Sequence, residues 1–283
     1  MGSSFEVSQL LRISDRPWEA LKKSLEPAFA EGILYPAPDV DTGALGPHLR
    51  AVLQNLGADS KIVFGHDQIH SVIYSSLDVD QKRRKHSTIG MSLIESTPED
   101  ALEKNIFHIA HQLTAGTADD APPFEMKALF ISNVMAGYAS MRSHNYQNAF
   151  DDLNMAAATL SEKLAGDGPA AARWADAIDL ALAQAGYLNV DLQYMENRTA
   201  LLLARSHELC HRMKIHEIQI QAYSSFNKME GALKAGIAAL HGLGHRLSYH
   251  PSSFYLFLLF LRTMVKLSCS DTKRLHGFGS KRP

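Results

Sequence analysis

His207-Glu208-Leu209-Cys210-His211 is the stretch whose residue types and spacing come nearest to chemistry. It matches HExxH. On a helix, two histidines four residues apart share one face and can hold zinc together, with the glutamate as general base. Such a centre needs a third protein ligand. His216 falls nine residues past His207; on a continuous helix that is about 180° around, so it points away. Glu230 stands at a separation some zinc proteases use, but Asn227 to Gly231 reads as a turn. His207, His211 and Glu208 are therefore metal candidates without a complete ligand set, and a zinc-dependent hydrolase is the alternative function. A polar helix face is the simpler expectation, because the motif follows Leu201-Leu202-Leu203 in an ordinary hairpin with no strand or cleft signal.

Other chemistry is thinner. Ser206-His207-Glu208-Leu209 resembles the phospho-acceptor helix of histidine kinases, but Cys210-His211-Arg212 stands where Arg-Thr-Pro should follow. No Gly-Lys dipeptide occurs in the chain, so the GxxxxGK[ST] loop that cradles phosphates is absent. GxGxxG and GxSxG are absent too. Asp119-Asp120 lies in a Pro-rich loop, and Asp151-Asp152 is expected on the solvent side of a helix. The basic run Gln81 to His86 (QKRRKH) has the charge to touch phosphate or an acidic protein, and a solvated helix start is the plainer reading. No catalytic residue and no cofactor are expected.

Composition sets the frame for these elements. The chain has 283 residues, 46% hydrophobic and 20% charged, which is enough to bury a core and resembles no disordered or disulfide-rich class. A net charge of -2 supplies no basic field to draw the chain to nucleic acid. Two cysteines, Cys210 and Cys269, in unrelated settings fit a reducing compartment, and Met1 to Leu10 has no basic flank and no apolar stretch of a secretory signal. The expectation is cytoplasmic. Phe254 to Leu267 is the most apolar stretch, but it holds Arg262 and Lys266. Its roughly 14 residues fall short of the ~20 a membrane helix needs. A helix buried in the chain or covered by a partner is expected, not a membrane span.

Along the chain, residues 5 to 35 read as short helices, with Ser14 able to cap a helix from Pro17 through Trp18, Leu21 and Leu25, and Gly32 at its end. Pro36, Pro38, Gly43, Gly46 and Pro47 break the pattern, and Lys61 to Phe64 is the best strand. Two helices with a short strand pair predict a winged-helix-like region over 1–84. From Lys85 the pattern is helical: Leu129, Phe130, Val134, Gly137, Tyr138 and Met141 recur at helical spacing, as do Phe150, Leu153, Ala157, Leu160 and Leu164. Trp174, Ile178, Ala181, Leu182 and Ala185 repeat it. Breaks fall at Ser143-His144-Asn145, Gly166 to Pro169, Asn189 and Gly242-Leu243-Gly244. Gly137, Ala149 and Ala156 sit at the small-residue spacings of tetratricopeptide (TPR) repeats, and Ala232 and Ala239 repeat the last of these. The fold class expected is all-α: TPR-like helical hairpins over 85–251 stacked as a solenoid, with an irregular bundle as the alternative. Residues 252–283 form a divergent tail, apolar and then basic.

Several segments together resemble one family. Phe64-Gly65-His66-Asp67-Gln68-Ile69-His70, Ile73-Tyr74-Ser75, then His86 and Ile89-Gly90 resemble its F-x-HD, AYS and H-x-x-IG stretch. Phe107-His108-Ile109-Ala110-His111-Gln112-Leu113 with Gly116 resembles the element that follows. Ala136-Gly137 with Tyr146 and Ala149, Tyr187-Leu188 after Trp174, Ile218 to Ile220, Leu233 to Ile237, Leu243-Gly244 and His250-Pro251-Ser252 fit the later helices. Over roughly 5–253 the chain resembles the helical arm of STAND-type AAA ATPase modules. These occur in large fungal and bacterial hybrid sensor histidine kinases that also carry a serine/threonine-kinase-like domain. The resemblance implies a nucleotide-binding core before residue 1 and sensor, histidine kinase and receiver domains after the arm. Any ATP binding would belong to that core, and a truncated or mis-spliced product would look like this chain. It implies a non-catalytic regulatory segment of two-component signal transduction, binding protein partners through its repeats and not nucleic acid.

Overall fold

The computed structural model describes residues 4–14, 16–37, 57, 60–164 and 168–269. Among them the chain is mostly helical, with twelve helices and three short strands. It forms two compact units, residues 1–181 and 182–283.

The first unit begins with a small sheet. β1 (Ser4–Glu6), β2 (Leu34–Pro36) and β3 (Lys61–Phe64) pair antiparallel in the order β1-β3-β2. The register sets Phe5 opposite Ile62 and Leu34 opposite Phe64, while Glu6 meets Lys61 as an opposite-charge pair. Three strands form where the sequence predicts a pair. β1 is only three residues long and carries too little alternation to stand out. Pro36, which has no N–H to donate, is tolerated because β2 is an edge strand. Phe5, Val7, Phe29, Leu34 and Ile62 form the core under this sheet, joined by Trp18 and Leu25 from the flanking helices. Those helices are α1 (Val7–Ser14) and α2 (Trp18–Ala30). Ser14 does not cap α2: it ends α1 and its hydroxyl donates to the Leu11 carbonyl, while Pro17 occupies the cap position. Gly32 takes the left-handed conformation (φ 68°) just past α2, the usual way a helix is stopped. Residues 38–50, with Pro38, Gly43, Gly46 and Pro47, lie outside the described residues.

α3 (Asp67–Ser76), α4 (Val79–Ser96), α5 (Glu99–Gly116), α6 (Pro123–Arg142) and α7 (Tyr146–Lys163) follow, packed as sequential neighbours from α4 onward. Residue 85 lies inside α4. Glycines set the closest approaches. A Cβ on Gly90 would sit 2.7 Å from Leu113 Cδ2, and one on Gly137 would sit 2.6 Å from Leu153 Cγ. Ala149 and Ala156 are fully buried beside that second contact. The α6–α7 turn at Ser143 to Asn145 uses a left-handed His144 (φ 61°), and Asn145 caps α7.

α8 (Pro169–Leu188) contributes to both units. The second unit continues with α9 (Leu192–Arg205), α10 (Leu209–Ser225), α11 (Met229–Gly242) and α12 (Ser253–Cys269). Asp191 caps α9 through the Tyr194 amide, and the α10–α11 turn passes through a left-handed Asn227 (φ 57°). Gly231 brings α11 against the Tyr223 ring, whereas Ala232 and Ala239 are only half-buried. α12 narrows one expectation: its described side chains are all exposed, so of a helix buried in the chain or covered by a partner the first alternative is removed. The apolar period there is continuous rather than one-sided, and sequence alone cannot say what covers it. No described helix is long and apolar enough to cross a membrane.

Candidate functional site

Residues quoted for the family resemblance come together in the first unit. β3 ends at Phe64, and α3 starts three residues later, so His70 and Tyr74 fall one helical turn apart on the α3 face that meets α4. The rings touch in sequence: Phe64 and His70 at 5.1 Å between centroids, His70 and Tyr74 at 6.2 Å, Tyr74 and His86 at 5.9 Å, His86 and His111 at 6.4 Å. Hydrogen bonds fasten the middle of this chain. His86 Nδ1 lies 2.7 Å from Gln112 Oε1, and His86 Nε2 lies 2.9 Å from the Tyr74 hydroxyl. Gln112 Oε1 can only accept, so Nδ1 carries the imidazole proton and Nε2 accepts from Tyr74. Gln112 is 2% exposed, which makes this the anchored end; Tyr74, 42% exposed, is the open end.

Local sequence explains why His86 is so placed. Asp78 and Gln81 form a reciprocal capping box that fixes the start of α4. Gly116 lets α5 approach closely, since a Cβ there would sit 2.1 Å from the Ser87 nitrogen. Ser87 donates to Glu125 Oε2 at 2.9 Å, adding a tie to α6. The basic run lies on this first part of α4, as expected of a solvated helix start: Arg83, Arg84 and Lys85 are exposed, and Lys82 rests 4.9 Å from the centre of the Tyr74 ring. The arrangement can couple the sheet to the helices mechanically.

The HExxH residues are not arranged as their spacing implies. α9 ends at Arg205 and α10 begins at Leu209. His207 is therefore in the connection, Glu208 is the N-cap residue of α10, and His211 alone sits in the helix. The one-face pairing of two imidazoles requires a continuous helix, which the break removes. Glu230 is paired with Lys234 Nζ at 2.7 Å, and His216 is buried, with Nδ1 at 3.0 Å from Gln219 Oε1. Gln219 in turn donates to Thr199 at 3.1 Å, a packed polar network inside the second unit. Cys210 is a free, exposed thiol. No group of three metal-capable side chains occurs among the described residues.

Asp151 is exposed as predicted, but Asp152 turns inward and is half-buried. Burial, then the neighbouring Asp151 charge, pushes its carboxyl up to about 6, against a smaller opposing pull from the Ser140 hydroxyl. Ser140 Oγ is itself buried and makes no hydrogen bond of good geometry, so that help is loose. Sequence spacing places Asp152 on the helix but does not reveal which neighbouring helix will shield it.

The first unit also carries a groove of about 670 Å³ lined by Leu102, Ile106, Met135, Tyr138 and Trp174. Trp174 stands edge-on to Phe130 at 5.7 Å and keeps 45% of its surface open. Glu103 and Arg142 pair at the rim.

Compared with models of known protein families, with curated proteins and with solved structures, the chain has no match.

Proposed function

We propose that this chain is a non-catalytic regulatory and protein-interaction segment of a STAND ATPase-type signalling protein in the cytoplasm. In this reading the first 84 residues are the winged-helix-like relay and the helices over 85–251 are irregular TPR-like repeats. The observation that carries it is the ring and hydrogen-bond chain from Phe64 to Gln112. The residues that carry the family resemblance form a connected link from the sheet to the first helical hairpin. A signal arriving at the sheet would be passed to the helices through that link. The groove with its open Trp174 supports a protein partner, since aromatic side chains half-sunk in an apolar groove are typical anchors for one.

ATP would belong to a separate core, because the chain has no phosphate loop. The isolated protein should give no heat with ATP and magnesium in a calorimetric titration and should release no phosphate. Micromolar affinity would contradict the reading.

A further inference from the structure

Lys82, Arg83, Arg84 and Lys85 are consecutive cations in the first two turns of α4. That placement runs against local physics. The positive end of the helix dipole disfavours Lys82 in the first turn, and Lys82 and Lys85 stand three residues apart as a like-charge pair. No ion pair offsets this. Asp78 is engaged in the capping box, Asp80 forms no pair with Arg84 four residues on, and none of the four cations meets a carboxylate among the described residues. Arg83, Arg84 and Lys85 are exposed, and Lys82 lies over the Tyr74 ring. Aliphatic surface adjoins them. Val79, one helical turn before Arg83, is 70% exposed, and Val72 and Ile73 on α3 are 69% and 46% exposed. A local rule broken with no compensating contact inside the fold marks a surface kept for something outside it.

We propose that this surface docks an acidic segment of a partner protein, one in which Asp and Glu alternate with aliphatic residues. Its carboxylates pair with Arg83, Arg84 and Lys85, the guanidinium forks holding them bidentately. Its aliphatic side chains cover Val72, Ile73 and Val79. Other polyanions fit less well. At 100° per residue the three exposed cations fan over about 200° of the helix. A flat lipid surface meets only part of that fan, whereas a flexible peptide follows it. A single nucleic-acid strand is held by bases stacked on aromatic rings as well as by cations, and Val72, Ile73 and Val79 offer no such face. The inference rests on the charge and exposure of α3 and α4, not on the proposed function.

Fluorescence anisotropy of the full chain tests it, with a fluorescein-labelled peptide of alternating Asp, Glu and Leu and its Asn/Gln/Leu counterpart. The acidic peptide should bind and the neutral one should not. Arg83→Glu/Arg84→Glu/Lys85→Glu should weaken binding about tenfold or more. Lys23→Glu/Lys104→Glu/Lys163→Glu makes the same charge change at exposed positions on α2, α5 and α7, and should leave affinity within about twofold. The first variant should also melt no lower than wild type, since acidic residues suit the start of a helix; a lowered midpoint would assign the cations to the fold instead. Arg83→Gln/Arg84→Gln/Lys85→Gln repeats the comparison without reversed charge and should weaken binding in the same direction. An acidic peptide bound no better than the neutral one, or equal losses in the two glutamate variants, would overturn the proposal. So would a labelled single-stranded oligonucleotide or phosphatidylcholine–phosphatidylserine vesicles binding more tightly than the acidic peptide.

Discussion

Asp152 shows how one side chain departs from what its position in sequence implies. A raised native pKa means that the folded chain holds the Asp152 proton more tightly than the unfolded chain does. Stability attributable to this group therefore falls as pH rises from about 4 to about 6, and the penalty persists above that. Asp152→Asn should relieve it. Because the group is only half shielded, the gain at pH 7 is discounted to about 1 kcal/mol, and it should vanish below pH 4. Urea unfolding of both proteins at pH 7 and pH 4 measures the difference. An equal or larger gain at pH 4 would contradict the assignment. The same limit on reading spacing applies to His207 and His211. Their separation is correct for a shared helix face, but whether a helix runs through them depends on where α9 stops.

At the scale of elements, the small residues Gly137, Ala149 and Ala156 are legible in sequence because bare positions at helical spacing have one common use, close packing of two helices. The turns at His144 and Asn227 are legible for the same kind of reason, since short polar breaks end amphipathic periods. The capping box at Asp78 carries its own signature and is the sort of feature that local spacing reveals. The Tyr74–His86–Gln112 link is not, because it joins three helices whose packing no local pattern specifies. Its two bonds should differ in weight. Gln112→Leu strands the half-buried His86 Nδ1–H and should cost about 1–2 kcal/mol. Tyr74→Phe removes an exposed hydroxyl that water replaces, and should cost about 0.5 kcal/mol or less. Amide exchange resolves the consequence: α3 should open faster in Tyr74→Phe while α5 is unchanged. Equal stability losses in the two variants would show that the link is not anchored at Gln112.

For the whole molecule, the class was readable from composition and period: a mostly helical chain with one small sheet. The unburied α12 was not, because continuous apolarity states how much surface must be covered and not by what. Packed helices rather than a bound metal are expected to hold the chain together. Thermal melts of wild type, Gly137→Leu and His207→Ala, each with and without a chelator, test this most directly. A side chain at Gly137 runs into Leu153 and overpacks the α6–α7 contact, costing about 1–3 kcal/mol or more. His207 is exposed between helices, so its loss should change stability by about 0.5 kcal/mol or less. The midpoint should fall for Gly137→Leu, stay nearly unchanged for His207→Ala, and respond to chelator in none of the three. A wild type that loses its midpoint in chelator, together with a collapsed His207→Ala, would contradict it and restore the metal site, since losing one ligand would remove much of a metal's contribution to folding.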